Sequence, residues 1–175
     1  MQILEVGAGA GGVLLEYMVY GARPENLYGC DLLPGRVSQA QALLPHSHQA
    51  CADGQRLPYC SDGFDLALQY TAFSSVLSQP VKANIAAEML RVLKPGGWVL
   101  WYDFWLNPTN PHTQGIRKTE IRALFPNCRY VFRRVTLAPP LARQLAPLSW
   151  GLAYLLEKVK LLNTHYLAAV QPLPG

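Results

Sequence analysis

The sequence predicts an α/β domain built around a mostly parallel β-sheet. Short runs of strand-forming residues alternate with segments of helical period, a pattern typical of successive βαβ units. A cluster of glycines follows the first run and turns the chain into the first helix. No repeat, linker or change of composition divides the 175 residues, so we expect a single domain over residues 1–175.

The first half of the chain contains four predicted strands. Pro34 opens the second helix, because proline is tolerated in a first helical turn. The third helix carries apolar residues such as Val81, Ile85 and Met89 at helical spacing, and Lys94–Gly97 is expected to end it. We predict strands at residues 3–6, 27–30, 49–52 and 64–69, and helices from the glycine turn to about residue 20, at 34–44 and at 80–93.

The second half begins with a nearly all-apolar run at residues 98–104, typical of a strand buried on both faces. A loop rich in Asn and Pro leads to a short helix at 117–125, and further strands are expected at 130–137 and 165–170. Between these strands, a helix near residues 150–161 has a broad apolar face. We expect this face to cover the sheet, and the alternatives are that it shapes a ligand pocket or touches a membrane surface.

Charge argues against a nucleic-acid-binding protein. Only 15% of the residues are charged, against about 25% in a typical soluble domain. The formal net charge is +4, and the basic residues are concentrated between Arg117 and Arg134. Because no nucleic-acid-binding module accompanies this basic segment, a solvated helix followed by an edge strand is the favoured interpretation.

The cysteines argue against a metal centre. The four cysteines form no CxxC pair and have no histidine at ligand spacing, so we expect neither a metal site nor a disulfide framework. Reduced thiols indicate a cytoplasmic protein. No apolar run approaches the length of a transmembrane span, and the first residues lack the features of a signal peptide.

Acidic residues follow several of the predicted strands. Of the eleven acidic residues, Glu5, Asp31, Asp53 and Asp103 fall at strand ends. In an open α/β sheet, ligands bind beyond the carboxyl ends of the strands. Asp31 is placed to accept hydrogen bonds from the two vicinal hydroxyls of a ribose, so we expect a nucleotide-like ligand at this edge.

The glycine-rich turn is compatible with two ligands. Gly7, Gly9 and Gly12, followed by Asp31, satisfy the fingerprint of a dinucleotide site. Such a site places pyrophosphate against the glycine turn. The negative charge of the Glu5 carboxylate would then lie close to the negative charge of the pyrophosphate. A ligand with an ammonium or sulfonium group would be attracted instead. The residues therefore favour S-adenosylmethionine over a dinucleotide.

Five motifs in order resemble those of class I methyltransferases that depend on S-adenosylmethionine, in particular methyltransferase type 11-like proteins. They are LEVGAGAG at residues 4–11, CD at 30–31, ADG at 52–54, LPY followed by FDL within 57–66, and RVLKPGG at 91–97. This resemblance covers about residues 3–104. The later segments WYDF (101–104), the Asn-Pro pairs at 107–108 and 110–111, and THY (164–166) resemble a bacterial subgroup often found near polysaccharide and secondary-metabolite genes.

The resemblance implies a Rossmann-like class I methyltransferase fold, with a mostly parallel seven-stranded sheet, an antiparallel last strand and helices on both faces. It also implies S-adenosylmethionine as cofactor and S-adenosylhomocysteine as product. Gly7 and Gly9 would then line the methionine portion, and Glu5 would orient its amino group directly or through water. Asp31 would bind the ribose hydroxyls, and Leu32 would pack on the adenine.

The resemblance assigns four further residues to the cofactor. Asp53 would accept a hydrogen bond from the exocyclic amine of adenine, and the Gly54 amide would reach a ring nitrogen. Gln69 and Tyr70, at the end of the fourth strand, would border the sulfonium and the transferred methyl. For Leu32 and Tyr70, ordinary core packing is the alternative.

Methyl transfer from a sulfonium is an in-line displacement, so the protein mainly aligns the donor and the nucleophile and excludes water. A general base is needed only where the nucleophile must lose a proton. The candidates are Asp103, His112 and His165. Their alternative roles are an acceptor for loop amides, a solvated loop residue and a buried structural histidine, respectively.

The range of possible methyl acceptors is narrowed because the sequence lacks the motifs of two classes of methyltransferase. The segment Gln69-Tyr70-Thr71-Ala72 differs from the Asn or Asp, Pro-Pro and aromatic pattern that marks adenine and glutamine N-methyltransferases. Cys30 and Cys51 lack the setting of a nucleophile for base C5 methylation. We expect a small-molecule, sugar or lipid-linked acceptor.

Proteins of this family usually carry a helical segment before the first strand that closes over the cofactor, whereas here the strand begins at Ile3. We therefore expect a domain that lacks the usual N-terminal lid helices. Three alternatives stay open: a minimal enzyme with an open site, a site closed by a dimer partner or another subunit, and a shortened product. The alternative functions are a non-catalytic module that binds an adenosyl ligand and is completed by a partner, and an NAD-type oxidoreductase.

Overall fold

The computed structural model describes residues 1–107 and 112–174, and the Asn-Pro pairs singled out above extend outside the described residues. Seven strands form one sheet in the order β3-β2-β1-β4-β5-β7-β6. Neighbours among β1 to β5 are parallel, and β7 is antiparallel to both β5 and β6. The expected fold is confirmed. The strands are β1 (Ile3–Val6), β2 (Leu27–Asp31), β3 (His48–Cys51), β4 (Phe64–Tyr70), β5 (Leu93–Phe104), β6 (Cys128–Leu137) and β7 (Asn163–Pro172).

Helices connect these strands and pack on both faces of the sheet. Proline occupies the first turn of α2, α3 and α5, where its missing N–H has no intrahelical partner to lose. Among the described residues, the α-helices are α1 (Gly12–Val19), α2 (Pro34–Leu43), α3 (Gln79–Arg91), α4 (Lys118–Leu124), α5 (Pro139–Leu145) and α6 (Trp150–Val159).

Two apolar clusters hold the helices against the sheet. The larger includes Val99 and Trp101 of β5 and Met89 of α3, and the Trp101 ring lies 4.6 Å from the Phe73 ring and 5.9 Å from the Phe125 ring. The smaller joins α1 to β1, β2 and β4 on the other face through Ile3, Leu14, Leu27, Leu44 and Leu68. Strand ends fixed by close packing on both faces are suited to present side chains to a ligand with little movement.

The segment Lys94–Gly97 differs from its predicted role. Helix α3 already ends at Arg91, and β5 begins at Leu93, so this segment lies within the strand. Phe64 pairs with Leu93, whereas Leu66 pairs with Trp98, so extra residues bulge out of β5. Gly96, with a φ of +81°, adopts the left-handed conformation that such an irregularity requires.

The hairpin formed by α5 and α6 also differs from expectation. Helix α5 was not predicted, and α6 has no buried residue, so the expectation that its apolar face covers the sheet is wrong. The hairpin is inserted between β6 and β7, and it contacts β6, which is the edge strand. At the sheet edge there is no further strand for an apolar helix to cover. Over the ranges that the structure describes, no helix is long and apolar enough to cross a membrane.

Candidate functional site

A cleft of about 560 Å³ opens at the carboxyl ends of β1, β2 and β4. This is the edge at which the sequence predicts a ligand. Of the cofactor residues predicted from the sequence, six line the cleft: Gly7, Asp31, Leu32, Asp53, Gly54 and Tyr70. The other three, Glu5, Gly9 and Gln69, lie beside or behind its wall.

The glycine turn between β1 and α1 brings backbone close to the cleft. The amides of Gly7 and Ala8 donate to the Cys30 carbonyl at 2.8 and 3.0 Å, which fastens the turn to β2. Gly7 has a φ of +78°, and a Cβ added there would lie 2.5 Å from the Ala72 Cβ. Only glycine fits this position without displacing the loop after β4.

Asp31 is held in one orientation at the end of β2. Its Oδ2 accepts from the Gly9 amide, and its Oδ1 accepts from the Leu33 amide, both at 2.9 Å. Each carboxylate oxygen can accept two hydrogen bonds, so each retains a lone pair for a further donor. The two hydroxyls of a ribose fit this requirement.

Glu5 is buried behind the glycine turn. Its side chain is almost inaccessible, and Oε2 has no hydrogen-bond partner among the described residues. Burial, together with the charges of Asp31 and Glu16, raises the pKa of Glu5 to about 8. A buried carboxyl without a partner is costly, and a nearby ligand cation would stabilise its charged form. An amino group therefore fits this end of the cleft.

The opposite end of the cleft is formed by Leu32 and the loop after β3. Leu32 is 66% exposed and so leaves apolar area that a flat ring would cover. Asp53 accepts from the Gln55 backbone amide and side-chain Nε2 at 2.9 and 3.0 Å, which fixes its carboxylate at the surface. Gly54 lies against Val6 and Ile85. These residues could hold an adenine, which is apolar on its faces and polar at its edges.

Tyr70 and Gln69 have different roles at the end of β4. The Tyr70 ring stacks on Tyr102 with centroids 5.3 Å apart and packs, like Tyr17, against the smaller apolar cluster, and burial raises the pKa of Tyr70. The Gln69 side chain is fully buried, and its Oε1 accepts from the amides of Ala72 and Phe73 at 3.2 and 3.4 Å. Gln69 thus positions the loop that borders the cleft, whereas Tyr70 is part of the wall.

The structure places the three candidate bases apart from this wall. Asp103 is buried and accepts from the amides of Ser74 and Phe104 at 3.0 and 2.8 Å; burial raises its pKa despite these bonds. His165 is buried between the rings of Tyr102 and Phe104, at 4.8 and 4.0 Å, and burial lowers its pKa to about 4. His112 is exposed.

Several cleft residues were missed by the sequence analysis. Thr71, Ala72 and Arg36 line the cleft, and Tyr17 supports Tyr70 from α1. Thr71 lies two residues after the predicted strand 64–69, and this closeness to a strand end was a usable signal. The contribution of Arg36 and Tyr17 depends on how α2 and α1 pack against the strand ends, which no local pattern indicates.

Comparison with known proteins agrees with this geometry. Residues 4–101 match the family described as methyltransferase domain. The chain belongs to this family. The resemblance to class I methyltransferases dependent on S-adenosylmethionine is confirmed, and the matched segment contains the whole cleft from the glycine turn to β5.

Curated methyltransferases match part of this chain in sequence, and solved methyltransferase structures share its fold. The phthiotriol/phenolphthiotriol dimycocerosates methyltransferase of Mycobacterium leprae is 32% identical over 62% of this chain and 39% of that protein. The chain spans about two-fifths of the length of the curated relatives it matches. A SAM-dependent methyltransferase from Methanosarcina mazei shares the fold with a TM-score of 0.72 and 16% identity over 99% of this chain and 93% of that one.

One solved neighbour of the methyltransferase is part of a complex. It is the putative methyltransferase of Haloferax volcanii bound to the Trm112 methyltransferase activator, with a TM-score of 0.69 and 19% identity over 98% of this chain and 83% of that one. At this identity, the likeness shows a common fold.

Proposed function

We propose that this domain transfers a methyl group from S-adenosylmethionine to an acceptor. The observation that supports this most directly is the buried, unpartnered Oε2 of Glu5 close to the charge of Asp31. A ligand that carries a cationic amine next to a ribose would satisfy both carboxyl groups. The pyrophosphate of NAD would supply no positive charge to Glu5 and would further disfavour its charged form, which argues against the oxidoreductase alternative.

The cleft offers a partner for each part of the cofactor. Asp31 would accept from the ribose hydroxyls, and Gly7 and Gly9 would line the methionine portion, whose amino group Glu5 would orient directly or through water. At the other end, Leu32 would pack on the face of the adenine, and Asp53 and Gly54 would contact its polar edge.

When bound, S-adenosylmethionine supplies a methyl group on a positively charged sulfur that is a good leaving group. The remaining task of the protein is to align the acceptor and exclude water. Tyr70 would border the reacting atoms, because it forms the wall at the end of β4. Gln69 would act from behind by holding the loop that begins at Thr71.

The general base remains a proposal among three residues. His165 is uncharged at neutral pH because its pKa is lowered to about 4, which is the form that accepts a proton. Asp103 is buried, its carboxylate accepts from the amides of Ser74 and Phe104, and burial raises its pKa. His112 is the third candidate. An acceptor that is already deprotonated would need none of them.

We propose a small-molecule, sugar or lipid-linked acceptor rather than a nucleic acid. A curated relative is a methyltransferase of phthiotriol and phenolphthiotriol dimycocerosates, which favours the lipid-linked class. A solved neighbour is bound to an activator protein, and we propose that a partner subunit also binds this domain. Four unpaired cysteines favour a reducing, cytoplasmic setting.

Ligand-induced stabilisation tests the cofactor assignment. A ligand at 100 times its dissociation constant raises the free energy of unfolding by about 2.7 kcal/mol. We expect thermal shifts with S-adenosylmethionine and S-adenosylhomocysteine but none with NAD, measured by calorimetry or dye fluorescence. Asp31→Ala should lose the shift, whereas Glu25→Ala, an exposed acid away from the cleft, should retain it. A shift with NAD alone would overturn the proposal.

Methyl transfer itself is tested with a labelled methyl group. We expect incorporation into a pool of lipid extracts, glycans or small hydroxylated compounds, and loss of incorporation with Asp31→Ala. If S-adenosylhomocysteine binds but no pool is labelled, the non-catalytic binding module becomes the better description.

A further inference from the structure

The α5–α6 hairpin exposes an unusual amount of apolar surface. Eight large apolar side chains within residues 148–162 are exposed, among them Leu148 at 83% and Trp150 at 72%. Only Ala153 and Leu156 of α6 are partly buried where the helix packs on its neighbours. Contiguous apolar patches of this kind on a soluble domain mark interaction sites. The exposed residues are Leu148, Trp150, Leu152, Tyr154, Leu155, Val159, Leu161 and Leu162.

Cationic side chains lie at the helix ends of the hairpin. Arg143 is in the last turn of α5, and Lys158 and Lys160 lie at the end of α6, where the Lys158 Nζ is 4.9 Å from the Tyr154 ring. These are the three Lys or Arg residues within residues 139–162, which contain a single acid, Glu157. Long basic side chains beside Trp and Tyr are the composition of a surface that sits at the boundary between lipid tails and anionic headgroups.

A cavity continues the apolar surface into the domain. It has a volume of about 460 Å³ and lies between the end of β5 and the hairpin. Trp105 and Leu106 form one wall, and Leu161 and Leu162, which also belong to the exposed surface, form another. The hairpin follows the carboxyl end of β6, which runs parallel to β5. Surface and cavity therefore lie at the same sheet edge as the cofactor cleft.

We propose that the α5–α6 hairpin docks this domain on the surface of an anionic lipid bilayer. Trp150 and its apolar neighbours enter the acyl boundary, and Arg143, Lys158 and Lys160 contact the headgroups. Docking would turn the edge that carries the cleft and the apolar cavity toward the lipid.

A second copy of the chain fits the same surface less well. In a two-fold dimer the same patch occupies both sides of the interface, so cations at its margin would approach cations. Anionic headgroups, in contrast, carry charge opposite to that of Arg143, Lys158 and Lys160. Apolar side chains are exposed on more than one side of α6, and lipid can contact all of these sides. The charge and the shape of the surface thus both favour the bilayer.

Sedimentation with vesicles tests the proposal. We expect the protein to sediment with vesicles of phosphatidylcholine and phosphatidylglycerol and to be released by added salt, since the charges are exposed. Trp150→Glu should weaken binding at least about tenfold, because it removes the burial of a large aromatic side chain. The matched control is Tyr20→Glu, which changes an exposed aromatic residue at the end of α1 and should leave binding unchanged.

Three results would overturn the proposal: no sedimentation with the anionic vesicles, equal losses for Trp150→Glu and Tyr20→Glu, or a dimer in lipid-free solution that Trp150→Glu abolishes. Circular dichroism and the thermal shift with S-adenosylhomocysteine show whether both variants are folded. Sedimentation requires no cofactor, so failure of the proposed methyl transfer and failure of bilayer docking are separate outcomes.

Discussion

Two carboxyl groups at neighbouring strand ends differ in their electrostatic state. Asp31 is fixed by two backbone amides at the mouth of the cleft, whereas Glu5 is buried and has its pKa raised to about 8. A free domain near neutral pH therefore holds Glu5 mostly protonated, and its charged form becomes favourable only when a cation is near. Ligand binding at this site should be coupled to proton release.

The affinity for S-adenosylhomocysteine should therefore depend on pH. If its amino group pairs with ionised Glu5, binding releases a proton below pH 8, and the dissociation constant should fall as pH rises from 6 to 7.5, by at most about tenfold per pH unit. Isothermal titration calorimetry in buffers of different ionisation enthalpy measures both the dissociation constant and the number of protons released. Glu5→Gln should bind more weakly and without this pH dependence; an unchanged dependence would mean that another group titrates.

Gly7 is the position where a side chain is least tolerated. Gly7→Ala adds a Cβ at a φ of +78° and 2.5 Å from the Ala72 Cβ, so both backbone strain and overpacking oppose it. We expect the free energy of unfolding to fall by about 2 to 4 kcal/mol, measured by urea denaturation. Gly12→Ala, at the start of α1 with no atom within 4 Å of the added Cβ, is the control and should be neutral or slightly stabilising. Equal losses would show that the turn is not constrained.

The residues of the cofactor cleft could be predicted where they belong to a local motif. Gly7, Asp31 and Asp53 lie at or just after the ends of predicted strands, and all three line the cleft. Gln69 is predicted to border the sulfonium, and the structure shows that its buried side chain bonds the amides of the loop after β4. The sequence specifies the strand end but not the direction of the side chain. Tyr17 could not be found, since its contact with Tyr70 arises from packing between α1 and β4.

At the level of elements, a buried ion pair joins two helices on one face of the sheet. The Lys82 side chain of α3 is fully buried, and its Nζ lies 2.8 Å from the Glu120 Oε1 of α4. Gln79 also donates to this oxygen at 2.9 Å. Glu120 is therefore the acceptor that makes a buried ammonium tolerable at the contact between α3 and α4.

Glu120→Ala should leave the Lys82 ammonium buried without its counter-charge. We expect a loss of about 3 kcal/mol in the free energy of unfolding, measured by chemical denaturation, with most of it restored by Lys82→Met in the same chain. Lys94→Ala is the comparison, because the Lys94–Asp65 pair is more than one-third exposed on both sides and should contribute less than about 1 kcal/mol. Similar losses for the two variants would contradict a special role for burial.

The hairpin of α5 and α6 shows what periodicity cannot predict. An apolar helical face at residues 150–161 was visible in the sequence, but the period of 3.6 gives no information on which surface receives that face. Its position beside β6 depends on the strand order of the sheet, in which β7 lies between β5 and β6 and leaves β6 at the edge. The bulge in β5 is similar, because Lys94–Gly97 is typical of a helix end and equally compatible with a strand irregularity.

Over the whole molecule, the large pKa shifts of His165 and Glu5 should contribute to how stability varies with pH, and burial also raises the pKa of Asp103. His165 stays neutral in the folded state down to about pH 4 instead of 6.5, so the unfolded chain binds more protons and stability rises with pH across that interval. Glu5 stays protonated up to about pH 8 instead of 4.5, so stability falls with pH across its interval. Between pH 4.5 and 6.5 the contributions of His165 and Glu5 to the free energy of unfolding change in opposite directions with pH. Of these two groups, only Glu5 titrates above pH 6.5.

The free energy of unfolding should therefore be highest in weakly acidic solution and decline between pH 6.5 and 8. One titrating group changes it by at most about 1.4 kcal/mol per pH unit. Urea denaturation at half-unit pH intervals measures the profile. Glu5→Gln, which keeps the shape of the neutral carboxyl and cannot ionise, should remove most of the decline while leaving the rise below pH 6.5 that belongs to His165. A decline as steep in Glu5→Gln as in the unchanged chain would show that the carboxyl behind the glycine turn is not the group that limits stability there.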